Sequence, residues 1–187
     1  MKLLIVNAFE DSDFPIHAIA ESLSQLPVTI STLNLVDEGF SDLMSERERE
    51  AYHLDNNLVS PAQKKSAELV KAAEGLLLCY PLINDLFPAI AKSWFERVFI
   101  PGVSFTFSES GRVKGALTNL RHIHFLALAE QNMKRMKRSD PSKSLLRAIR
   151  MNAGLRCKSS LSLLYDLESF EIAARNNLMK AKRLSQR

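Results

Sequence analysis

Residues 79–107 read CYPLINDLFPAIAKSWFERVFIPGVSFTF, and the fold turns on how this run is divided. Leu76–Tyr80 (LLLCY) is a short unbroken apolar run closed by Pro81, the pattern of a strand covered on both faces, as in parallel sheets. From Pro88 the apolar positions Ile90, Trp94, Val98 and Phe99 recur at helical spacing, with Lys92, Glu96 and Arg97 as polar members of the same helix. Pro88 suits a first-turn position, where its missing N–H costs no hydrogen bond. Pro101-Gly102 ends the helix and turns the chain. Val103, Phe105 and Phe107 then alternate with Ser104 and Thr106.

Outward from this run the chain alternates strand and helix. Lys2–Val6 reads as a first strand, followed by a helix from about Asp13 to Gln25 with Ile16, Ile19 and Leu23 as its apolar stripe and Asp13 as N-cap. Val28–Leu35 is a second strand. Ser45 and Glu48 form a capping box that opens a short charged helix, and Ser60-Pro61 opens another reaching Ala73. After the third strand at Leu76–Tyr80 come a fourth at Arg121–Leu128, a helix at Ser142–Met151, a fifth strand at Lys158–Tyr165 and a closing helix at Glu168–Leu184. This order predicts a three-layer α/β sandwich around a five-stranded parallel sheet, as one domain over residues 1–187.

Composition fits that reading. A chain of 187 residues can bury roughly 70% of its unfolded surface in one core. Two cysteines, Cys79 and Cys157, make no disulfide framework. The apolar runs are far shorter than the roughly 20 residues that span a bilayer, so no membrane insertion and a cytoplasmic location are expected. Charge is uneven: residues 1–111 carry −8 and residues 112–187 carry +12. The basic half suits an anionic nucleotide, a nucleic acid, an acidic partner, a solvated face or pairing with the acidic half in a dimer. Nucleic acid is disfavoured, because no aromatic-interleaved basic motif accompanies the charge.

In such a sheet, ligands bind beyond the carboxyl ends of the strands, where strand order reverses. That selects the loops at residues 7–14, 81–87 and 129–139. Three features carry a resemblance: the Tyr80-Pro81-Leu82 turn, the helix ending Trp94-Phe95-Glu96-Arg97-Val98-Phe99, and the loop Pro101-Gly102-Val103-Ser104-Phe105-Thr106-Phe107. Together they resemble the NAD(P)H:quinone oxidoreductase family, which includes DT-diaphorase-like enzymes and flavoproteins associated with bacterial potassium efflux. The resemblance implies a flavodoxin-like sandwich, FMN or FAD as cofactor, NAD(P)H as hydride donor, and a quinone or similar small-molecule acceptor. By the same resemblance Ser12 and Phe14 stand at the flavin phosphate, Pro81, Leu82, Ile83 and Asn84 along the flavin ring, and Phe105 and Phe107 in the acceptor pocket at a homodimer boundary. Read without the resemblance, Phe105 and Phe107 are dimer or domain core, and that reading is the favoured one.

The loops depart from the family pattern. Phe9, Asp13 and Pro15 replace its His, hydroxyl and Asn at the phosphate, and Glu10, Asp11 and Asp13 surround an anionic group. Each such contact at 4 Å opposes binding by about 1 kcal/mol in water, against about 0.3 to 1 kcal/mol from a helix N-terminus. Ile83-Asn84 replace a Trp-Trp pair, and Ala127-Leu128-Ala129-Glu130 replaces a Thr-Thr-Gly-Gly turn. These degenerate flavin loops support an alternative, a family member that has lost flavin and acts as an interaction or regulatory protein. The basic run Lys134–Arg138 reads as a solvated turn or a dinucleotide-phosphate contact. His122 and His124 point to one side of their strand but find no third ligand at metal-binding spacing, so no metal site is expected. No nucleophile or catalytic residue stands out, which suits chemistry carried by a cofactor.

Overall fold

The computed structural model describes residues 1–10, 16–24, 27–41, 43–84, 86–129 and 142–185. The elements are β1 (Lys2–Asn7), α1 (Ile16–Ser24), β2 (Thr29–Asn34), α2 (Glu46–Ala51), α3 (Pro61–Ala72), β3 (Gly75–Leu82), α4 (Ala89–Val98), β4 (Phe105–Phe107), β5 (Val113–Gly115), β6 (His122–Ala129), α5 (Ser142–Ala153), β7 (Lys158–Leu164) and α6 (Leu167–Ser185). The main sheet is parallel throughout, in the order β2-β1-β3-β6-β7. From β1 the chain moves out to β2, then returns to β3 on the other side of β1, so strand order reverses between β1 and β3.

Alternating side chains divide the core into two layers. Leu4 and Val6 of β1, Leu76, Leu78 and Tyr80 of β3, and Ile123 and Phe125 of β6 meet Val70 of α3, Trp94 and Val98 of α4, and Leu146 and Ile149 of α5. The intervening residues Leu3, Ile5, Leu77, Cys79 and Leu126 meet Ile16, Ile19 and Leu23 of α1 and Phe170 and Ala174 of α6. The expected three-layer architecture is therefore present, with β3 buried from Gly75 to Tyr80. The expected capping box forms between Ser45 and Glu48 at α2, and Ser60 makes a second with Gln63 at α3. The expected Asp13 N-cap lies outside the described residues.

Three local expectations are corrected. Pro81 does not close β3, which runs on to Leu82. Arg97, read only as a polar member of α4, is 8% exposed and lies within the buried stripe. Phe105 and Phe107 belong to no core; they form β4, which pairs antiparallel with the unanticipated strand β5 across a Ser108–Arg112 turn. Their rings meet edge to face at 5.7 Å, and Phe107 is exposed.

The hairpin leans on the end of α5 at a point that only glycine fits. A Cβ on Gly115 would stand 2.3 Å from the Asn152 carbonyl oxygen, which also accepts the Leu117 N–H. Gly115→Ala is therefore expected to destabilise the protein by about 1–3 kcal/mol, as overpacking against fixed backbone does. Chemical denaturation of the two proteins side by side measures it.

Candidate functional site

The carboxyl end of β3 is built to leave the sheet late. The Cys79 carbonyl accepts the Ala8 N–H on the β1 side (2.9 Å), and Asn7 opposite Cys79 is the last β1 pair. Backbone direction alternates, so Pro81 turns its nitrogen to that same side, beyond the end of β1. Its missing N–H ends the ladder with β1 there while pairing with β6 on the other side is kept, so proline is tolerated in a central strand. Pro81 and Leu82 remain registered with Leu128 and Ala129 of β6. A tight turn follows, closed by the Leu86 N–H on the Ile83 carbonyl (2.9 Å), with Asn84 at φ 52°. Asn is among the few side chains at ease in that left-handed region.

Two clefts flank this strand end and share Pro81 and Ile83. The first, ≈ 600 Å³, lies between Ala8 and Glu10 after β1, Val36 and Ser41 after β2, and Asn84, Phe87 and Ile90 leading into α4. The second, ≈ 450 Å³, lies between Leu82, Leu128 and Ala129 and the Tyr165–Leu167 corner after β7. Pro81, Leu82, Ile83 and Asn84 are thus brought together, all at the strand-order reversal. Phe87 was not anticipated. It stacks on Phe125 (6.5 Å, 18°) and meets Tyr80 at 5.0 Å, while the Tyr80 hydroxyl bonds Ser142 Oγ at 2.7 Å, anchoring the first residue of α5 beneath the cleft.

At the other rim, Phe9 is not poised for a ligand. It is 8% exposed, packs edge-on against Phe170 at 6.0 Å, and its N–H donates to Asn7 Oδ1 at 3.1 Å. Glu10 is exposed at the cleft. Ser12, Phe14, Glu130 and the basic run at 134–138 lie outside the described residues. In the region where the family turn carries its glycines, Ala127–Ala129 remain strand residues paired to β3. The described lining fits a flat, largely apolar ring: it has the volume of a small-molecule site, an aromatic wall at Phe87 and few polar groups.

One buried ion pair fixes the wall of the first cleft. Arg97 Nε donates to Glu48 Oε1 at 2.7 Å, Arg97 Nη1 donates to the Gly39 carbonyl at 3.3 Å, and the guanidinium lies 4.9 Å from the Phe40 ring centre. The Arg97 carbonyl in turn accepts Gln63 Nε2 at 3.0 Å. Loop 35–41, which contributes Val36 and Ser41 to the cleft, is therefore clamped to α2, α3 and α4 at once. A signal for this was present in the sequence: Arg97 lies three residues from Trp94 and beside Val98, on the apolar stripe. Burial would raise the Glu48 pKa, but hydrogen bonds from Ser45 and the bond and charge of Arg97 outweigh it and hold the carboxyl below its ordinary 4.5.

Phe105 and Phe107 are not brought to this cleft. α4 begins at its edge and runs ten residues, roughly 15 Å, before the hairpin starts. On the outer side of α4 a groove of ≈ 560 Å³ is floored by Phe95 and Phe99, stacked at 4.5 Å, and edged by Leu43, Met44, Tyr52 and His53. His122 and His124 do share one side of β6, their rings 6.5 Å apart, and His124 Nδ1 bonds Ser160 Oγ at 2.6 Å. Among the described residues no group of three or more His, Cys, Asp or Glu is placed to hold a metal ion. Both cysteines are buried, and burial pushes the Cys157 thiol up to about 11 and that of Cys79 further still, so neither is a nucleophile at neutral pH. Among the described residues no helix is long and apolar enough to cross a membrane.

A parallel β2-β1-β3-β6-β7 sheet with paired clefts at its switch point defines a class, and the sequence agrees. The family model described as "Flavodoxin-like fold" matches residues 1–154, and the chain belongs to that family. It is similar in structure to an NAD(P)H:quinone oxidoreductase from Methanothermobacter marburgensis (22% identity, TM-score 0.69, covering 98% of this chain and 96% of that one). An FMN-dependent NADH-azoreductase from Bacillus anthracis, solved with FMN, is equally similar in fold (18% identity, TM-score 0.69, 98% of each chain). Smu.1420 from Streptococcus mutans UA159 is also similar, at 20% identity and TM-score 0.63 over 98% of each chain. No curated protein matches the chain by sequence.

Breaking the ion pair on one side leaves the other charge buried and alone. Arg97→Met is expected to cost about 3–5 kcal/mol and Glu48→Gln somewhat less, whereas the double variant Arg97→Met/Glu48→Leu recovers most of the loss. Because the folded Glu48 pKa lies below 4.5, its contribution is complete above that pH and is lost as the pH falls through the folded value. Denaturation of wild type and Glu48→Gln across pH 3 to 7 should converge at the acid end.

Proposed function

We propose that this chain is an NAD(P)H-dependent oxidoreductase that uses a flavin, FMN or FAD, to reduce a quinone or a similar planar small molecule. The observation that carries the reading is the pair of clefts straddling Pro81 and Ile83 at the strand-order reversal, where this architecture takes its ligands. A bound flavin supplies two-electron hydride chemistry, so the protein's part is to bind, orient and shield. Pro81, Leu82, Ile83 and Asn84 form the seat for the ring, and Phe87 closes one side. By the resemblance, Ser12 and Phe14 are assigned to the phosphate. Ile83 and Leu86, exposed at the rim, become covered when ring or acceptor docks.

The acceptor pocket is assigned to a homodimer. Since Phe105 and Phe107 stand at the far end of α4 from their own cleft, they serve a cleft only in an antiparallel pair of chains, each hairpin reaching the other subunit's site. The apolar groove floored by Phe95 and Phe99 is the face assigned to that contact. Phe107→Ser should then raise KM for a quinone several-fold and leave flavin affinity unchanged, as steady-state kinetics and flavin titration will show.

A second reading is favoured by the β1 rim. Phe9 is committed to packing on Phe170, and Glu10 places a carboxylate where a phosphate would approach. On that reading the fold is kept without flavin and serves as an interaction or regulatory protein. Titration with FMN and FAD decides between them. Quenching of flavin fluorescence with Kd well below about 100 μM supports the enzyme, and no binding at that level, about −5.5 kcal/mol, overturns it in favour of the second reading. Glu10→Gln is expected to tighten flavin binding about fivefold, the effect of removing one like-charge contact of about 1 kcal/mol.

A further inference from the structure

The turn after α5 displays an apolar side chain that the fold leaves uncovered. Gly154, at φ 85°, ends the helix with its N–H on the Arg150 carbonyl (3.0 Å), and the Cys157 N–H on the Gly154 carbonyl (3.1 Å) closes a turn with Leu155 and Arg156 at its tip. In such helix ends the next apolar residue commonly folds back on the last turn. Leu155 does not: it is 99% exposed, and Met151, one turn earlier, is 73% exposed.

The stretch that carries this tip is cationic. Ser142–Tyr165 hold five Lys/Arg and no Asp or Glu. Arg147, Arg150 and Arg156 are exposed beside the two apolar residues, and Arg150 and Arg121 both stand close enough to Cys157 to act on its thiol. None of these arginines forms an ion pair among the described residues. The proposed reaction uses none of this, because α5 ends where β7 begins, at the end of the sheet opposite the clefts.

We propose that this tip is a docking surface for an anionic phospholipid bilayer, touching its surface without crossing it. Charge complementarity selects a polyanionic partner: each Lys or Arg at such a surface adds about 1 kcal/mol, and only within a Debye length. Shape selects lipid over an acidic protein. Leu155 is the apex of a convex turn, and no cleft described above reaches it, so a protein partner would have to bring the whole pocket. A bilayer needs no pocket: leucine and methionine enter the acyl boundary while the neighbouring arginines stay among the phosphates. Docked in this way, the clefts face away from the membrane.

Co-sedimentation of the full chain with vesicles tests the proposal. Binding is expected to vesicles of equal parts phosphatidylglycerol and phosphatidylcholine at low salt, with none to phosphatidylcholine alone. Removing one arginine, Arg150→Gln or Arg156→Gln, should weaken binding about fivefold. Met151→Ser/Leu155→Ser should weaken it by at least as much while the thermal unfolding midpoint stays unchanged. Failure to sediment with anionic vesicles overturns the proposal. So does sedimentation that the serine variant leaves intact and that polyglutamate-coated beads reproduce, since that marks a general polyanion contact with no lipid insertion.

Discussion

Burial of β3 on both faces is the constraint from which the rest follows. Leu77 and Cys79 are enclosed by the α1/α6 layer, Leu76, Leu78 and Tyr80 by the α3/α4/α5 layer, and β1 and β6 flank the strand on either side. A strand so enclosed has no face to offer a ligand, and its thiol at Cys79 is too deeply buried to react. Only its carboxyl end is open. A ligand could reach the strand only where β3 outlasts β1, where both clefts share Pro81.

The clefts also need walls, and here the Arg97–Glu48 pair matters more than its net energy suggests. Buried ion pairs often contribute little to stability, because desolvating both charges cancels much of their attraction. What this pair gives is position. Glu48 is held by Ser45, Arg97 by the carbonyl of Gly39 and the ring of Phe40, and the main chain of Arg97 by Gln63. An apolar replacement could fill the space but would hold the loop at 35–41 less firmly, and that loop carries Val36 and Ser41 into the cleft.

Much of this was legible in the sequence, for reasons that separate residue by residue. LLLCY and the Trp94 stripe announce themselves because periodicity and continuous hydrophobicity are local, and Ser45 because a capping box spans only four residues. Reading LLLCY as a strand also put Pro81–Asn84 at its carboxyl end, where Pro81, Ile83 and Asn84 line the first cleft. Extension of β3 through Pro81 was not legible, since it depends on where the neighbouring strand β1 stops. The place of Arg97 on the apolar stripe hinted at its burial, but its partner Glu48, 49 residues away in sequence, was not legible. β5 escaped notice because three residues with one apolar side chain give no pattern; the strand exists because β4 pairs with it and Gly115 lets it rest against Asn152.

α4 ties the two ends of the molecule together. Its first residues line a cleft, its middle carries the buried Trp94 and Arg97, and its end starts the hairpin that holds Phe105 and Phe107. Trp94 Nε1 bonds Ser66 Oγ at 3.2 Å and so fixes the helix along its axis against α3. With ten residues there is no slack to bring the hairpin back to its own cleft. The packing of Trp94 therefore sets both the wall of the cleft and the position of the hairpin through the same rigid rod.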